Sequence, residues 1–302
     1  MTRAVEPAIE PGGDVAPRLR TAPGHASHLE ASEILIAPQR GWMPLNLREL
    51  WEHRELLYLL IWRNIKVRYK QTVLGAAWAV IPAVMTMVVF TLIFGHLAHL
   101  ASDGSPYALF SYCALVPWTY FSSAVTQAST SLVENERLVT RVYFPRLLVP
   151  LSAALSGLLD LVVAFLLLVA MSLAFGVFPT VKILAIPPLV VLTAAAAFAV
   201  GTALSALNVF YRDVRYLIAF LVQFWLFATP VAYSSSIIPH AWRPLYGLNP
   251  MAGVIDGFRW AMLEHAPAPG ITPVMSVVSV VILLTAGLYY FRRVEDSFAD
   301  VV

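Results

Sequence analysis

The amino-acid sequence predicts an all-α integral membrane protein with six transmembrane helices, an N-terminal amphipathic interface helix, and two short re-entrant or outer-surface helices between spans five and six. Three observations carry this expectation. The 302 residues are 59% hydrophobic and only 13% charged, with a mean hydropathy of +0.73, whereas about a quarter of the residues of a soluble domain are charged. Six apolar stretches are long enough to cross a hydrocarbon core of about 30 Å, which takes roughly 20 helical residues. Lysine and arginine concentrate in alternate loops, on one side of those stretches.

Residues 1–45 hold Pro7, Pro11, Pro17, Pro23, Pro38 and Pro44 among Gly, Ala and scattered charges. Such a composition buries too little apolar surface to offset chain entropy, so it reads as a disordered cytoplasmic tail. The interface helix is expected over 46–71. Asn46 can cap it and Glu49 completes a capping-box pattern. Glu49, Glu52 and Glu55 fall in the first turns and Arg63, Lys66, Arg68 and Lys70 in the last, the charge order that complements the helix dipole. Leu50, Trp51, Leu57, Tyr58, Ile61, Trp62 and Ile65 recur at three- and four-residue steps, so one face can lie at the headgroup boundary while the basic residues meet anionic lipid. An ordinary core helix is the alternative, weakened by the long apolar run that follows directly.

The six-helix domain is expected over 72–291, with spans at about 73–98, 106–130, 146–176, 183–209, 214–234 and 272–291. Arg63 to Lys70 precede span one, Arg137, Arg141 and Arg146 lie between spans two and three, Arg212 and Arg215 between four and five, and Arg292 and Arg293 after six. The positive-inside rule assigns these to the cytoplasm. The opposite loops hold only Lys182, Arg243 and Arg259, so both termini, including the 292–302 tail, are expected inside. Residues 237–265 do not fit a span. They contain Arg243, Asp256, Arg259 and Glu264, and Pro239, Pro244, Gly247 and Pro250 interrupt any helix, so two short helices around a turn at 248–250 are expected.

Reactive constellations are missing. The seven histidines form no HExxH or zinc spacing, and His96 with His99 near the outer end of span one reads as an interfacial pair. No metal site is expected. Cys113 alone excludes an intramolecular disulfide and a CxxC pair. Lys66, Lys70 and Lys182 follow Ile65, Tyr69 and Val181, so the Gly-Lys step of a phosphate-binding P-loop is absent. A net charge of +2 gives no reason to invoke nucleic acid. Asp160 is the one acid deep in a predicted span; it is expected to face protein or water, in a packing and hydrogen-bonding role rather than a proton relay, which would need further intramembrane titratable groups. Ser131–Arg146 reads as a short charged cytoplasmic helix, with Ser131 and Glu134 in a capping-box pattern. It is either merely solvated or a lever that couples the bundle to a soluble partner.

The run LLYLLIWRNIKVRYKQTVLGAAWAVIPAVMTMVVFTLIFG, the motif NVFYRDVRYLIAFLVQFWLFATPVAY and LYGLNPMAGVIDGFRW together resemble the permease subunits of bacterial ABC-2 type exporters of lipid-linked polysaccharides such as O-antigen, capsule and teichoic acid polymers. The resemblance covers nearly everything after residue 45. It implies a multi-pass protein of the bacterial inner membrane, a homodimer joined to two copies of a separate ATPase that binds ATP and Mg, and no catalytic residue or cofactor in this chain. By position it assigns Glu134, Asn135, Glu136 and Arg137 to ATPase docking, and Arg212 and Asp213 to the cytoplasmic turn between spans four and five.

A polymer exporter of this kind holds a lipid end that is often a polyprenyl diphosphate. Arginine forks suit diphosphate oxygens, which singles out Arg63 and Arg68 at the inner entrance. Sugars stack on aromatic faces, so Trp78, Phe90, Tyr107, Trp118, Tyr120, Phe224 and Trp225 are candidates, against the alternative of an aromatic belt that anchors helices at the interfaces. Two rival functions remain at this level: an ABC-2 permease for a lipid or small hydrophobic compound, and a membrane-embedded transferase, for which the reactive cluster is missing.

Overall fold

The computed structural model describes residues 47–70, 75, 77–239 and 241–298. The expected tail at 1–45, the Asn46 cap, His25, His28 and His240 lie outside the described residues. All regular elements among the described residues are helical.

The expected interface helix is two pieces, α1 (Leu47–Glu52) and α2 (Arg54–Tyr69), broken at His53. Apolar side chains emerge on two sides of this segment rather than one. Leu60 is buried, with Leu56 and Leu57 beside it, in a cluster with Leu132, Val139 and Leu147. Trp51, Tyr58, Leu59, Trp62 and Val67 are exposed. A segment with apolar groups on both sides suits a seam between protein and lipid, and Lys66 Nζ sits 5.4 Å from the Trp62 ring centroid, covering part of that outer side.

After Gly75, α3 (Ala77–Phe90) contains Pro82 and continues as a π-helical stretch, Thr91–Leu97. Proline removes one ladder hydrogen bond; near it Thr86 Oγ1 donates to the Pro82 carbonyl at 2.8 Å. The central helix is α4 (Tyr107–Glu134), against which α3, α6 (Leu148–Ser156), α7 (Leu158–Ala174), α8 (Ile186–Phe210) and α11 (Pro250–Met262) all pack. Phe110, Tyr112, Leu115, Phe121 and Val125 of α4 are buried in the core.

Four segments are long and apolar enough to cross a membrane: Ala77–Leu97, Leu148–Ala174, Val181–Phe210 and Thr272–Val294. The expected second and fifth spans depart from that rule in opposite ways. Helix α4 is 28 residues long, roughly 42 Å at helical rise, but carries many hydroxyl side chains. Most are satisfied locally, as Thr119, Thr126 and Ser129 donate to carbonyls three or four residues back, so a polar sequence can occupy a protein-surrounded position. Helix α9 (Val214–Ala228) has 15 residues, roughly 22 Å.

The short helix α5 (Glu136–Arg141) follows α4 after one residue, Asn135. The capping box expected from Ser131 and Glu134 does not form: α4 runs on through both, and Ser131 Oγ bonds back to the Ala128 carbonyl at 2.6 Å. On the other side of the protein, α10 (Arg243–Tyr246) and α11 flank a turn at residues 247–249, as the prolines predict. Asn249 caps α11 by accepting from Met251 N at 3.1 Å. The last helix, α12 (Thr272–Val294), extends past Arg292 and Arg293. Residues 292–298 are therefore packed structure rather than a free tail: Phe298 is buried against Phe291 and Phe210, and Arg146 donates to the Glu295 carbonyl.

Helix α8 lies between α4 and α12 with glycine at both contacts. A methyl at Gly201 would sit 2.6 Å from Ala128 Cβ, and one at Gly287 2.7 Å from the Ala199 carbonyl oxygen. Because backbone rather than a flexible side chain blocks the second site, Gly287→Ala should destabilise the fold by about 1–3 kcal/mol. The check is a lowered thermal midpoint of the detergent-solubilised protein; an unchanged midpoint would show that α8 and α12 separate without cost.

Candidate functional site

Two adjoining cavities lie where α2 meets the bundle. One, of about 390 Å³, is lined by Arg63, Asn64, Arg68, Gln127, Glu134 and Asn135 among others. The other, of about 410 Å³, is lined by Arg68, Tyr69, Gly75, Trp78, Gln127 and Asp160 among others. Arg68 and Gln127 border both.

The polar groups form a network that joins three parts of the chain. Arg68 donates from one amino group to Asp160 Oδ2 and from the other to Gln127 Oε1, with Ser156 Oγ at 3.5 Å. Tyr69 donates its hydroxyl to Asp160 Oδ1. Burial, reinforced by that hydrogen bond, pushes the Tyr69 phenol up to about 12, so it stays a donor at any physiological pH. One helical turn earlier, Arg63 Nη2 donates to Asn135 Oδ1 at 2.7 Å and to Asn64 Oδ1 at 3.2 Å. Asn135 Nδ2 in turn donates to the Ser131 carbonyl at 2.7 Å, closing the end of α4.

Local structure explains the placement. Asp160 lies in the first turn of α7, because Gly157 interrupts the expected third span between α6 and α7. The approach of Tyr120 to Gly157, where an added Cβ would meet the ring at 3.2 Å, fixes that interruption against α4. The carboxylate is thus in the first turn of α7, about midway along the Leu148–Ala174 segment, and both its oxygens accept from side chains of α2.

The structure brings together residues that the sequence left separate. Arg63 of the entrance pair touches Asn135 of the docking set, and Arg68 touches Asp160. Glu134, Glu136 and Arg137 are exposed around the α4–α5 junction. Arg212 and Asp213 occupy the exposed turn between α8 and α9 and line neither cavity. Tyr69, Asn64 and Gln127 were missed; a glutamine within the expected second span was the available signal.

The aromatic candidates divide by burial. Phe90, Trp118 and Tyr120 are in the core, and their rings are enclosed by protein: Phe90 stands edge-on to Phe94 at 5.3 Å, and the Tyr120 hydroxyl donates to the Ala154 carbonyl. For these three the stacking expectation is corrected, since close packing leaves no ring face open to a sugar. Tyr107 is half-buried with its hydroxyl on the Ala232 carbonyl, and Trp225 is half-buried with Nε1 donating to Asn249 Oδ1 at 3.1 Å. Trp78 and Phe224 are exposed. His96 and His99 are exposed as well, and no group of three metal-binding side chains occurs among the described residues.

Residues 55–263 match the family described as ABC-2 type transporter. The chain belongs to the ABC-2 type transporter family. The O-antigen export system permease protein RfbA of Myxococcus xanthus is 30% identical over 257 residues, covering 84% of this chain and 98% of that protein. A protein of the same name from Klebsiella pneumoniae is 25% identical over 261 residues, covering 86% and 98%. The ABC-2 match begins within α2 and ends just after α11, so it contains the whole inner network. In this ABC-2 transporter chain, the network ties the surface helix to the bundle through charge-assisted hydrogen bonds between partly buried groups, which are stronger than exposed pairs.

A double-mutant cycle with Arg68→Ala and Asp160→Ala should return a coupling energy of about 1–3 kcal/mol, read from thermal or denaturant unfolding of the solubilised protein. Additive effects would mean that the two side chains are neighbours without an energetic bond.

Proposed function

We propose that this chain is the membrane permease of an ATP-driven exporter of a lipid-linked polysaccharide, O-antigen or a related cell-envelope glycan, in the bacterial inner membrane. The observation that carries this reading is the similarity to O-antigen export permeases over nearly their whole length. In this reading ATP and Mg bind to a separate subunit, with which the missing P-loop in this sequence is consistent. A homodimer of six-span chains with both termini cytoplasmic, each with an ATPase beneath it, is the assembly we infer; exposed apolar side chains along α3, α9 and α12 are compatible with lipid and a second copy.

In this reading the exposed α4–α5 junction, with Glu134, Asn135, Glu136 and Arg137, receives the ATPase, and the Arg212 and Asp213 turn is a second contact. The Arg63 to Asn135 hydrogen bond then links ATPase motion to the surface helix. Arg63, whose hydrogen bonds go to neutral amides, is the better first contact for a lipid diphosphate, because Arg68 is already neutralised by Asp160. Trp78 at the inner cavity and Phe224 on α9 remain exposed faces for a passing sugar, with Tyr107 and Trp225 as partly covered ones.

Affinity purification of the full chain from its native host should bring down an ABC ATPase and a glycolipid identifiable by mass spectrometry. Arg63→Ala should lower glycan export at least about tenfold, as expected for loss of a charge-assisted contact, while the ATPase still copurifies. Isolation of the intact chain without any ATPase would sink the proposal, and undiminished export by Arg63→Ala would remove that arginine from the entrance.

A further inference from the structure

On the opposite side of the protein from the inner network, a third cavity of about 380 Å³ opens among the α3–α4 loop, the segment before α10, α11 and the loop at residues 266–272. Its volume falls within the roughly 300–1,000 Å³ of small-molecule sites. Its polar lining includes Asp103, Arg243, Asp256 and Arg259, with hydroxyls from Ser234, Ser235, Ser236, Tyr246 and Thr272. Two carboxylates and two guanidiniums cancel in charge, and hydroxyls lie between them.

These groups are built into place. Asp103 holds a left-handed backbone conformation (φ 51°) and accepts from Ser234 Oγ at 2.6 Å and Ser236 Oγ at 3.3 Å. Arg243 Nε donates to the Ile238 carbonyl at 3.2 Å. Arg259 is only 4% exposed, with its guanidinium 3.6 Å from the centroid of the Phe110 ring. Its two amino groups donate to the Tyr233 and Val231 carbonyls, which fix the guanidinium at the cavity wall. Asp256 is likewise desolvated: burial pushes its carboxyl up to about 6, against the opposing pull of its hydrogen bond with Ser235 and of Arg259 beside it.

We propose that this outer cavity is a binding subsite for a neutral sugar unit. A net anion would face Asp103 and Asp256, and a net cation would face Arg243 and Arg259. A polyol satisfies both sets at once, since each hydroxyl donates to a carboxylate and accepts from a guanidinium. The proposal rests on the reading of the chain as a polysaccharide exporter and adds to it a holding point on the exit side. Pro267 and Pro269 restrict the backbone of the rim, and Gly270 supplies the left-handed turn there (φ 57°).

The test is saturation-transfer NMR on the full chain with its ATPase in lipid nanodiscs, using the methyl glycosides of glucose, mannose and galactose as probes. At least one probe should receive saturation. Ala268→Trp, at an exposed rim position, should abolish the transfer by filling the cavity, and Arg243→Gln should weaken binding at least about tenfold. Inorganic phosphate and calcium should not compete. Transfer to none of the sugars, transfer that Ala268→Trp leaves intact, or displacement by phosphate or calcium each overturns the proposal. Surface-glycan staining of the expressing strain separates the two readings: export without sugar binding removes the subsite alone, whereas a strain whose glycan reaches the surface equally well without this chain removes the exporter reading.

Discussion

A carboxylate on a membrane-directed helix is tolerable only if something satisfies it, and in this chain the satisfying groups come from outside the bundle. Asp160 receives Arg68 and Tyr69 from the surface helix. Removing Arg68 would leave Asp160 without its counter-charge and with only the Tyr69 hydroxyl on its carboxylate, which is costly for a partly buried charge. The position of α2 is therefore dictated by a polar debt inside α7 as well as by burial of Leu60. The same constraint distinguishes the two arginines, because Arg68 is paired with a carboxylate whereas Arg63 donates to neutral amides.

Helix α4 supplies the second constraint. Its hydroxyl-rich sequence would be unstable against lipid over a long face, and α3, α6, α7, α8, α9 and α11 all pack on it instead. Its C-terminal end carries Gln127 in the inner network and Asn135 at its terminus, so a displacement of the α4–α5 junction is felt at Arg63 directly. At its other end Phe110 supports Arg259 through a cation–π contact, a stronger interaction when desolvated. One helix thus braces both polar regions.

Much of this organisation was legible in the sequence. Hydropathy and charge bias located the apolar helices, and the prolines around 237–265 announced α10, the turn and α11. Length and hydropathy place a span at 106–130, but α4 is not among the four segments apolar enough to cross a membrane, because its hydroxyl side chains, largely satisfied within the helix, weaken the signal. Tertiary contact overrode the local signal at Ser131, where the helix continues through a capping-box pattern. The Arg68 to Asp160 pair spans 92 positions and leaves no periodic trace. The aromatic candidates failed for a similar reason: residue type identifies a ring that can stack on sugar, but only packing decides that Phe90, Trp118 and Tyr120 are covered while Trp78 and Phe224 are not.

The packed C-terminal segment has a mechanical consequence. Phe298 touches Phe210 at the end of α8 and Phe291 in α12, while the Glu295 carbonyl receives Arg146 from just before α6. Three helices are pinned together at one end by this staple, and α9 is outside it. A force applied to α6, α8 or α12 at that end is therefore shared with the other two through the C-terminal segment, whereas α9 has no part in these contacts.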